Sequence, residues 1–221
     1  MKAIAIVSGG MDSVTLAYLL KSQGHELTIV SIDYGQRHVK EIEYARRCAD
    51  RLSATFHLVD LSQVGALLPG SALTDNSIEV PEGHYAAENM RVTVVPNRNA
   101  IMLALAYGIA VAAQAGIVAT AVHSGDHHIY PDCRLEFIEA FDKMERLAVA
   151  GFVDTHLLTP FVNMTKAEIV TMGASLGVPF VDTWSCYKGG AEHCGKCGTC
   201  VERREAFHIA GVIDPTIYTS R

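Results

Sequence analysis

No run of basic residues occurs anywhere in this 221-residue chain, and acidic residues outnumber Lys and Arg by 24 to 18, for a formal net charge of −6. Binding to DNA or tRNA draws on clustered Lys and Arg, so no nucleic-acid partner is expected. A small anion held by a few fixed groups stays compatible. Long apolar runs are missing too. The longest, residues 100–113, falls short of the roughly 20 residues of a membrane span, so no membrane partner is expected. The apolar stretch at the N-terminus is broken by Gly9, Gly10 and Asp12 and is too short for a secretory leader. These absences together predict a cytoplasmic protein. There, six cysteines are more often metal ligands or free thiols than disulfides. Internal repeats and low-complexity tracts are also absent.

The lysine of the common phosphate loop G-x-x-x-x-G-K-[ST] is missing, and so is G-x-G-x-x-G. In their place stands Ser8-Gly9-Gly10-Met11-Asp12-Ser13, directly after an apolar segment and directly before an apolar-periodic one. Two glycines let the backbone turn tightly and approach a ligand. The helix that follows offers unpaired N–H groups and partial positive charge. A strand, a glycine turn and a helix start together make an anion site. Here the hydroxyls of Ser8 and Ser13 and the Asp12 carboxylate replace the lysine. The plainer alternative is a strand-to-helix turn with Asp12 as a simple cap.

Periodicity predicts strands at 1–7, 26–32, 55–59, 117–122 and 156–158. Helices are predicted at 12–23, 36–52, 97–115, 133–150 and 165–176, the last opened by a capping box from Thr165 to Glu168. Residues 61–95 read as a long excursion. Alternating strands and helices predict an α/β fold, a parallel sheet with helices on both faces. Ligands bind such sheets beyond the carboxyl ends of the strands. The tracts 8–13, 33–38 and 124–134 each follow a strand and should converge at one rim.

Cys186, Cys194, Cys197 and Cys200 are spaced C-x7-C-x2-C-x2-C. Four thiolates at such spacing close a tetrahedral structural zinc site; an iron–sulfur cluster or a redox pair are the alternatives. His193, inside the cluster, is expected to face solvent, and Cys48 to be an ordinary buried residue. The division expected is a nucleotide-binding domain over 1–180 and a small zinc-binding helical tail over 181–221, packed on it.

Other polar groups cluster at predicted element ends. Pro96-Asn97-Arg98-Asn99 precedes a buried helix, where Asn97 or Asn99 suits a cap. Arg98 opposes the helix dipole there, and a bound anion would offset that cost. Lys166 poses the same question. Asp132 and Arg134, in the polar tract 124–134, suit recognition of a heterocycle edge and a carboxylate. Equally, Asp132 caps the next helix and Arg134 is a surface residue. Tyr34-Gly35-Gln36-Arg37-His38 ends the second strand, where an adenine or a second substrate would lie.

Taken together, these segments resemble the PP-loop ATP pyrophosphatases, whose signature is S-G-G-x-D-S, over residues 8 to about 207. Within them the chain is similar to the branch that makes a deazaguanine nitrile for queuosine. Tyr130-Pro131-Asp132-Cys133-Arg134, Trp184-Ser185-Cys186-Tyr187 and the cysteine spacing carry that closer likeness. The tract departs from the branch at His127-His128-Ile129, where Ser-Gly after an aromatic is expected. The resemblance implies a Rossmann-like, adenine nucleotide alpha hydrolase-like fold. It also implies an ATP-dependent C–N ligase that joins ammonia to 7-carboxy-7-deazaguanine, with Mg²⁺ at Asp12 and a homodimeric state. Asp12, Arg98 and Lys166 would serve the chemistry. Tyr34, Arg37, Arg98, Asn99, Asp126, Tyr130, Asp132 and Arg134 would hold the substrate, and Cys133 lacks an evident activating base. Other readings are a sulfurtransferase of tRNA with the same loop, a non-catalytic zinc-ribbon interaction protein, and an ammonia-using ligase such as a GMP or NAD synthetase.

Overall fold

The computed structural model describes residues 1–85 and 87–220. In chain order the elements are β1 (Lys2–Ile6), α1 (Met11–Ser22), β2 (Glu26–Asp33), α2 (Glu41–Leu52) and β3 (Thr55–Asp60). Two single turns follow, α3 (Ser62–Gly65) and α4 (Ala87–Met90). Then come α5 (Arg98–Ala113), β4 (Ile117–Ala119), α6 (Leu135–Ala148), β5 (His156–Leu158), α7 (Lys166–Ser175) and α8 (Gly198–Ala210). The five strands form one parallel sheet in the order β3-β2-β1-β4-β5, the α/β architecture that the alternating periodicity predicts.

Successive strand residues point to opposite faces, and the two faces are covered by different helices. Ala3, Ala5 and Val7 pack with Leu16 and Leu20 of α1, Ala45 of α2, Ile169 of α7 and Phe207 of α8. Ile4, Val30 and Val118 pack on the other side with Leu103 and Tyr107 of α5 and Ile138 and Phe141 of α6. The strand order reverses at β1: the chain runs outward to β3 and then crosses back to β4. A crevice therefore opens beyond the carboxyl ends of β1 and β4. Among the described residues no helix is long and apolar enough to cross a membrane.

Helix α2 begins at Glu41, not at residue 36 as periodicity predicts. The Gln36 side chain accepts from Tyr34 N (2.8 Å) and donates to Ile32 O (3.1 Å), so a side chain competes with the backbone for helical bonds. The excursion between β3 and α5 is tied down along its length. Arg37 donates to the carbonyls of Asp75 (2.8 Å) and Ile78 (2.9 Å). Ala72 N donates to Val92 O (2.7 Å), and Gly83 N to Lys196 O (2.9 Å) in the cysteine loop.

Candidate active site

Strand β1 ends and α1 starts around Ser8, Gly9 and Gly10. Gly9 has φ +98°, and a Cβ there would lie 2.1 Å from the Glu41 carbonyl oxygen. Only glycine lets the loop lie this close to α2. The Gly9 carbonyl accepts from Trp184 N at 2.9 Å. Ser8 and Ser13 close the turn internally: Ser8 N donates to Ser13 Oγ (3.2 Å), Gly10 N to Ser8 Oγ (3.2 Å) and Ser13 Oγ to Gly10 O (3.0 Å). In the first turn of α1 the N–H groups of Met11, Asp12 and Ser13 have no carbonyl behind them within the helix. All three residues line a cavity of about 220 Å³, together with Ser8 and Gly10.

The cavity has one ionised wall. Lys166 Nζ lies 2.5 Å from Glu202 Oε2 and 3.4 Å from Asp12 Oδ2. His123 Nδ1 accepts from Gly125 N (3.1 Å). Its Nε2 lies 3.5 Å from Asp126 Oδ2 and 3.8 Å from Asp12 Oδ2. Tyr85 donates to Asp126 at 3.0 Å. Burial opposes the charge of Lys166, but Asp12, Glu202 and Asp126 outweigh it and hold the ammonium above its ordinary range. Burial likewise opposes the charge of Asp126, and His123, Lys166 and Tyr85 outweigh it and lower its pKa. Asp12 Oδ1 is buried without a partner. An anionic oxygen so placed fits a hard cation such as Mg²⁺.

The opposite wall is aromatic. Arg98 at the start of α5 donates to the Tyr34 hydroxyl (3.4 Å), and its guanidinium lies 5.7 Å from the Tyr34 ring centre and 5.8 Å from that of Tyr130. No carboxylate pairs with it among the described ion pairs. Glu41 and His38 sit beside it, 3.5 Å apart. Burial pushes Glu41 up to about 8 and His38 down to about 3, so both are neutral near pH 7. Cys133 also lines the cavity; burial raises its thiol well above the ordinary value, which makes it a poor nucleophile.

The three tracts at the strand ends do converge, and Ser8, Gly10, Met11, Asp12, Ser13, Tyr34, Arg98, Asn99, Asp126 and Lys166 share the cavity. Others lie behind it. Arg37 holds the excursion. The Tyr130 hydroxyl bonds Thr93 Oγ1 (2.7 Å). Asp132 accepts from Asn99 N (3.0 Å) and so caps α5 from outside, while Asn97 makes no side-chain cap. Arg134 is exposed and donates to His127 O (2.8 Å). Glu41, His123 and Glu202 escaped sequence reasoning. Each stands outside the glycine loop and the polar tracts' matched positions, and Glu41 and Glu202 sit among other charged residues of α2 and α8, so no local signal marks them. A larger surface groove of about 540 Å³ runs along the end of α6. It is lined by Asp142, Lys143, Arg146 and Asp154 but lies away from Ser8 to Ser13.

The sulfurs of Cys186, Cys194, Cys197 and Cys200 lie within 4.8 Å of one another. Cys197 N and Lys196 N donate to Cys194 Sγ (3.2 and 3.4 Å), which suits thiolates turned toward a shared ion. His193 corrects the expectation of exposure. It is buried, packs against Trp184 with ring centres 4.2 Å apart and the rings tilted by 41°, and accepts from Ser185 N at 3.0 Å. The imidazole fills the space between the cysteine loop and Trp184, so burial, not ligation, accounts for it. Cys48 is buried in the core, as expected.

A parallel sheet with helices on both faces, the Ser8–Ser13 loop at its reversal point and a four-cysteine cluster beside it define a protein of the PP-loop fold. The queuosine biosynthesis protein QueC family model matches residues 2–211, and the chain belongs to that family. It is 60% identical to 7-cyano-7-deazaguanine synthase of Rhizobium johnstonii over 99% of this chain and 92% of that one. The enzyme of the same name from Paracoccus denitrificans is 60% identical over 99% of this chain and 93% of its own length. Two solved structures share the fold. NMN synthetase from Francisella tularensis has a TM-score of 0.53 at 15% identity, covering 96% of this chain and 77% of its own. The U34-tRNA thiolase NcsA from Methanococcus maripaludis, with its [4Fe-4S] cluster, has a TM-score of 0.52 at 14% identity, covering 96% and 73%.

Proposed function

We propose that the chain is a 7-cyano-7-deazaguanine synthase, an ATP-dependent ligase that turns 7-carboxy-7-deazaguanine and ammonia into the nitrile. The family match over residues 2–211 carries this reading, and the two-walled cavity supports it. The α1 N–H groups and the hydroxyls of Ser8 and Ser13 would cradle the β- and γ-phosphates, which leaves the α-phosphorus open. The substrate carboxylate attacks it; pyrophosphate departs and an acyl-adenylate forms. Ammonia attacks the acyl carbon, AMP departs and a proton is released, giving the amide. The amide oxygen attacks a second ATP in the same way. Loss of AMP with that oxygen, and of both N–H protons, leaves the nitrile.

Lys166 and Arg98 would stabilise charge that grows on phosphate and carboxylate. Tyr34, Asn99 and Asp126 would face the heterocycle, with Arg37, Tyr130, Asp132 and Arg134 shaping the pocket from behind. Asp12, through Oδ1, would hold Mg²⁺, which when bound offsets phosphate charge. The four thiolates would hold a structural zinc, since four sulfurs leave no open coordination position. Residues 1–180 would carry the chemistry and 181–221 brace it. The acidic charge supports small-molecule partners and no nucleic acid; the likeness to biosynthetic enzymes supports a cytoplasmic location, and the resemblance a homodimer.

The test is incubation with ATP, Mg²⁺, ammonium and 7-carboxy-7-deazaguanine, read by mass spectrometry. Nitrile is expected. Neither amide nor nitrile, from protein shown to hold zinc, would overturn the assignment. Iron in place of zinc would favour a sulfur-transferring role.

A further inference from the structure

We propose that Glu202, in the C-terminal tail, is a positioning residue for this reaction: it draws the Lys166 ammonium to itself and away from Asp12 Oδ1, so that this oxygen stays free for the cation that accompanies ATP. The proposal rests on the synthase reading above. Four observations converge on it.

First, Lys166 is the opening residue of α7, capped by Thr165. A cation at a helix start is unfavourable in the helix dipole, so its place has to be enforced by carboxylates. Second, of the two carboxylates paired with its Nζ, Glu202 is nearer (2.5 Å) than Asp12 (3.4 Å). Without Glu202, Asp12 would be the remaining ion-pair partner and the ammonium would close on it. Third, the helix that carries Glu202 is locked at its start. Cys197 caps α8 and Cys200 lies in its first turn, both in the four-sulfur cluster. The adjacent residue, Arg203, is fully buried and donates to Thr183 Oγ1 (2.7 Å), Phe180 O (2.9 Å) and Ser185 Oγ (3.2 Å). These bonds anchor α8 at the residue beside Glu202, whose carboxylate meets Lys166 at the start of α7. Fourth, room is made for it. A Cβ on Gly125 would lie 3.3 Å from Glu202 Oε1 and 3.0 Å from the His123 ring. A glycine at 125 lets the carboxylate and the imidazole approach one backbone together.

The cysteine centre therefore acts at a distance through a rigid helix: it fixes where Glu202 sits, Glu202 fixes Lys166, and Lys166 leaves Asp12 Oδ1 unpartnered. The side chains of Lys166 and Glu202 are only 15% and 14% exposed, so their attraction is weakly screened.

The test is Glu202→Gln, which keeps the shape and removes the charge, in protein with its full metal content. Calorimetric titration with ATP at fixed Mg²⁺ is expected to show about tenfold weaker binding, the scale of one charge-assisted hydrogen bond. The Mg²⁺ concentration for half-maximal nitrile formation should rise by a similar factor, with KM for 7-carboxy-7-deazaguanine unchanged. Glu202→Asp, which keeps the charge one methylene short, should fall between. A role in folding alone would lower stability or metal content and leave the Mg²⁺ dependence in place. Unaltered ATP affinity and Mg²⁺ dependence in Glu202→Gln would overturn the proposal. If that variant does not fold, the same unaltered values in Glu202→Asp would do so. Should the parent bind ATP but form no nitrile, the synthase reading fails, while the binding comparison still decides the role of Glu202.

Discussion

The two walls of the cavity bury carboxyl groups of similar kind and treat them in opposite ways. Burial pushes both Asp126 and Glu41 toward the neutral form. On the ionised wall, Asp126 has His123, Lys166 and Tyr85 around it and ends below its ordinary value. On the aromatic wall, Glu41 has only a Gln36 hydrogen bond and the Arg98 charge against burial, and it rises to about 8. Partners, not depth, decide the sign. The first wall thus keeps fixed charges, which on the proposed reading would serve phosphate and cation and, through Asp126, the edge of the heterocycle. The second keeps one lone guanidinium among rings, the Glu41 carboxyl and the His38 imidazole, a surface that on the proposed reading suits a flat heterocycle carrying a carboxylate.

Removing the anion on the ionised wall should have the largest effect. Asp12→Ala is expected to lower kcat by about 10²–10³-fold, the scale of losing one preorganised electrostatic group, with metal content retained. Turnover near the parent's, measured by mass spectrometry, would remove Asp12 from the chemistry. On the aromatic wall, Arg98→Lys keeps the charge but loses the planar fork and its stacking. It should raise KM for the deazaguanine by about tenfold or more and leave ATP affinity unchanged. Weakened ATP binding instead would move Arg98 to the phosphate side.

Glu41→Gln sharpens the contrast through pH. The folded pKa of Glu41 is raised from 4.5 to about 8. Its contribution to stability is therefore full below pH 4.5 and is lost as pH rises through about 8. The amide does not ionise, so the variant should gain on the parent between pH 5 and 8, by about 1–3 kcal/mol in urea unfolding. His38, lowered from 6.5 to about 3 by burial, runs the other way: its contribution is present above pH 6.5 and is lost as pH falls through about 3. A flat difference between variant and parent would show Glu41 ionised in the fold. The smallest effect is expected from Arg134→Ala. Its guanidinium serves the His127 carbonyl outside the cavity, and kcat/KM should change less than about twofold. A large loss would extend the aromatic wall to include it.

Much of this was legible in sequence because it is local. Ser8 to Ser13 lies between a strand and a helix, and its turn, its glycines and its helix start are set by neighbours in the chain. The C-x7-C-x2-C-x2-C spacing brings four sulfurs together through short turns, and hydrophobic periodicity alone predicts five parallel strands with helices between. Arg37, Asp132 and Arg134 show where local reading stops. Each stands next to a cavity residue in sequence, yet its side chain satisfies a backbone group elsewhere, and neighbouring residues in a turn point in different directions.

Ser8 to Ser13 and the cysteine spacing were legible in sequence alone, since the Ser8 and Ser13 turn bonds and the C-x2-C loops are local, while Gly9 also needs the close approach of α2 and Trp184. Glu41, His123 and Glu202 were decided only by the tertiary structure. They come from α2, the segment after β4, and α8; Glu41 lines the cavity, while His123 and Glu202 contact Asp126 and Lys166, which line it, because the parallel order β3-β2-β1-β4-β5 stacks distant segments at one rim. Their charge states were decided there as well, because a pKa answers to the groups around a side chain in space and not to its neighbours along the chain.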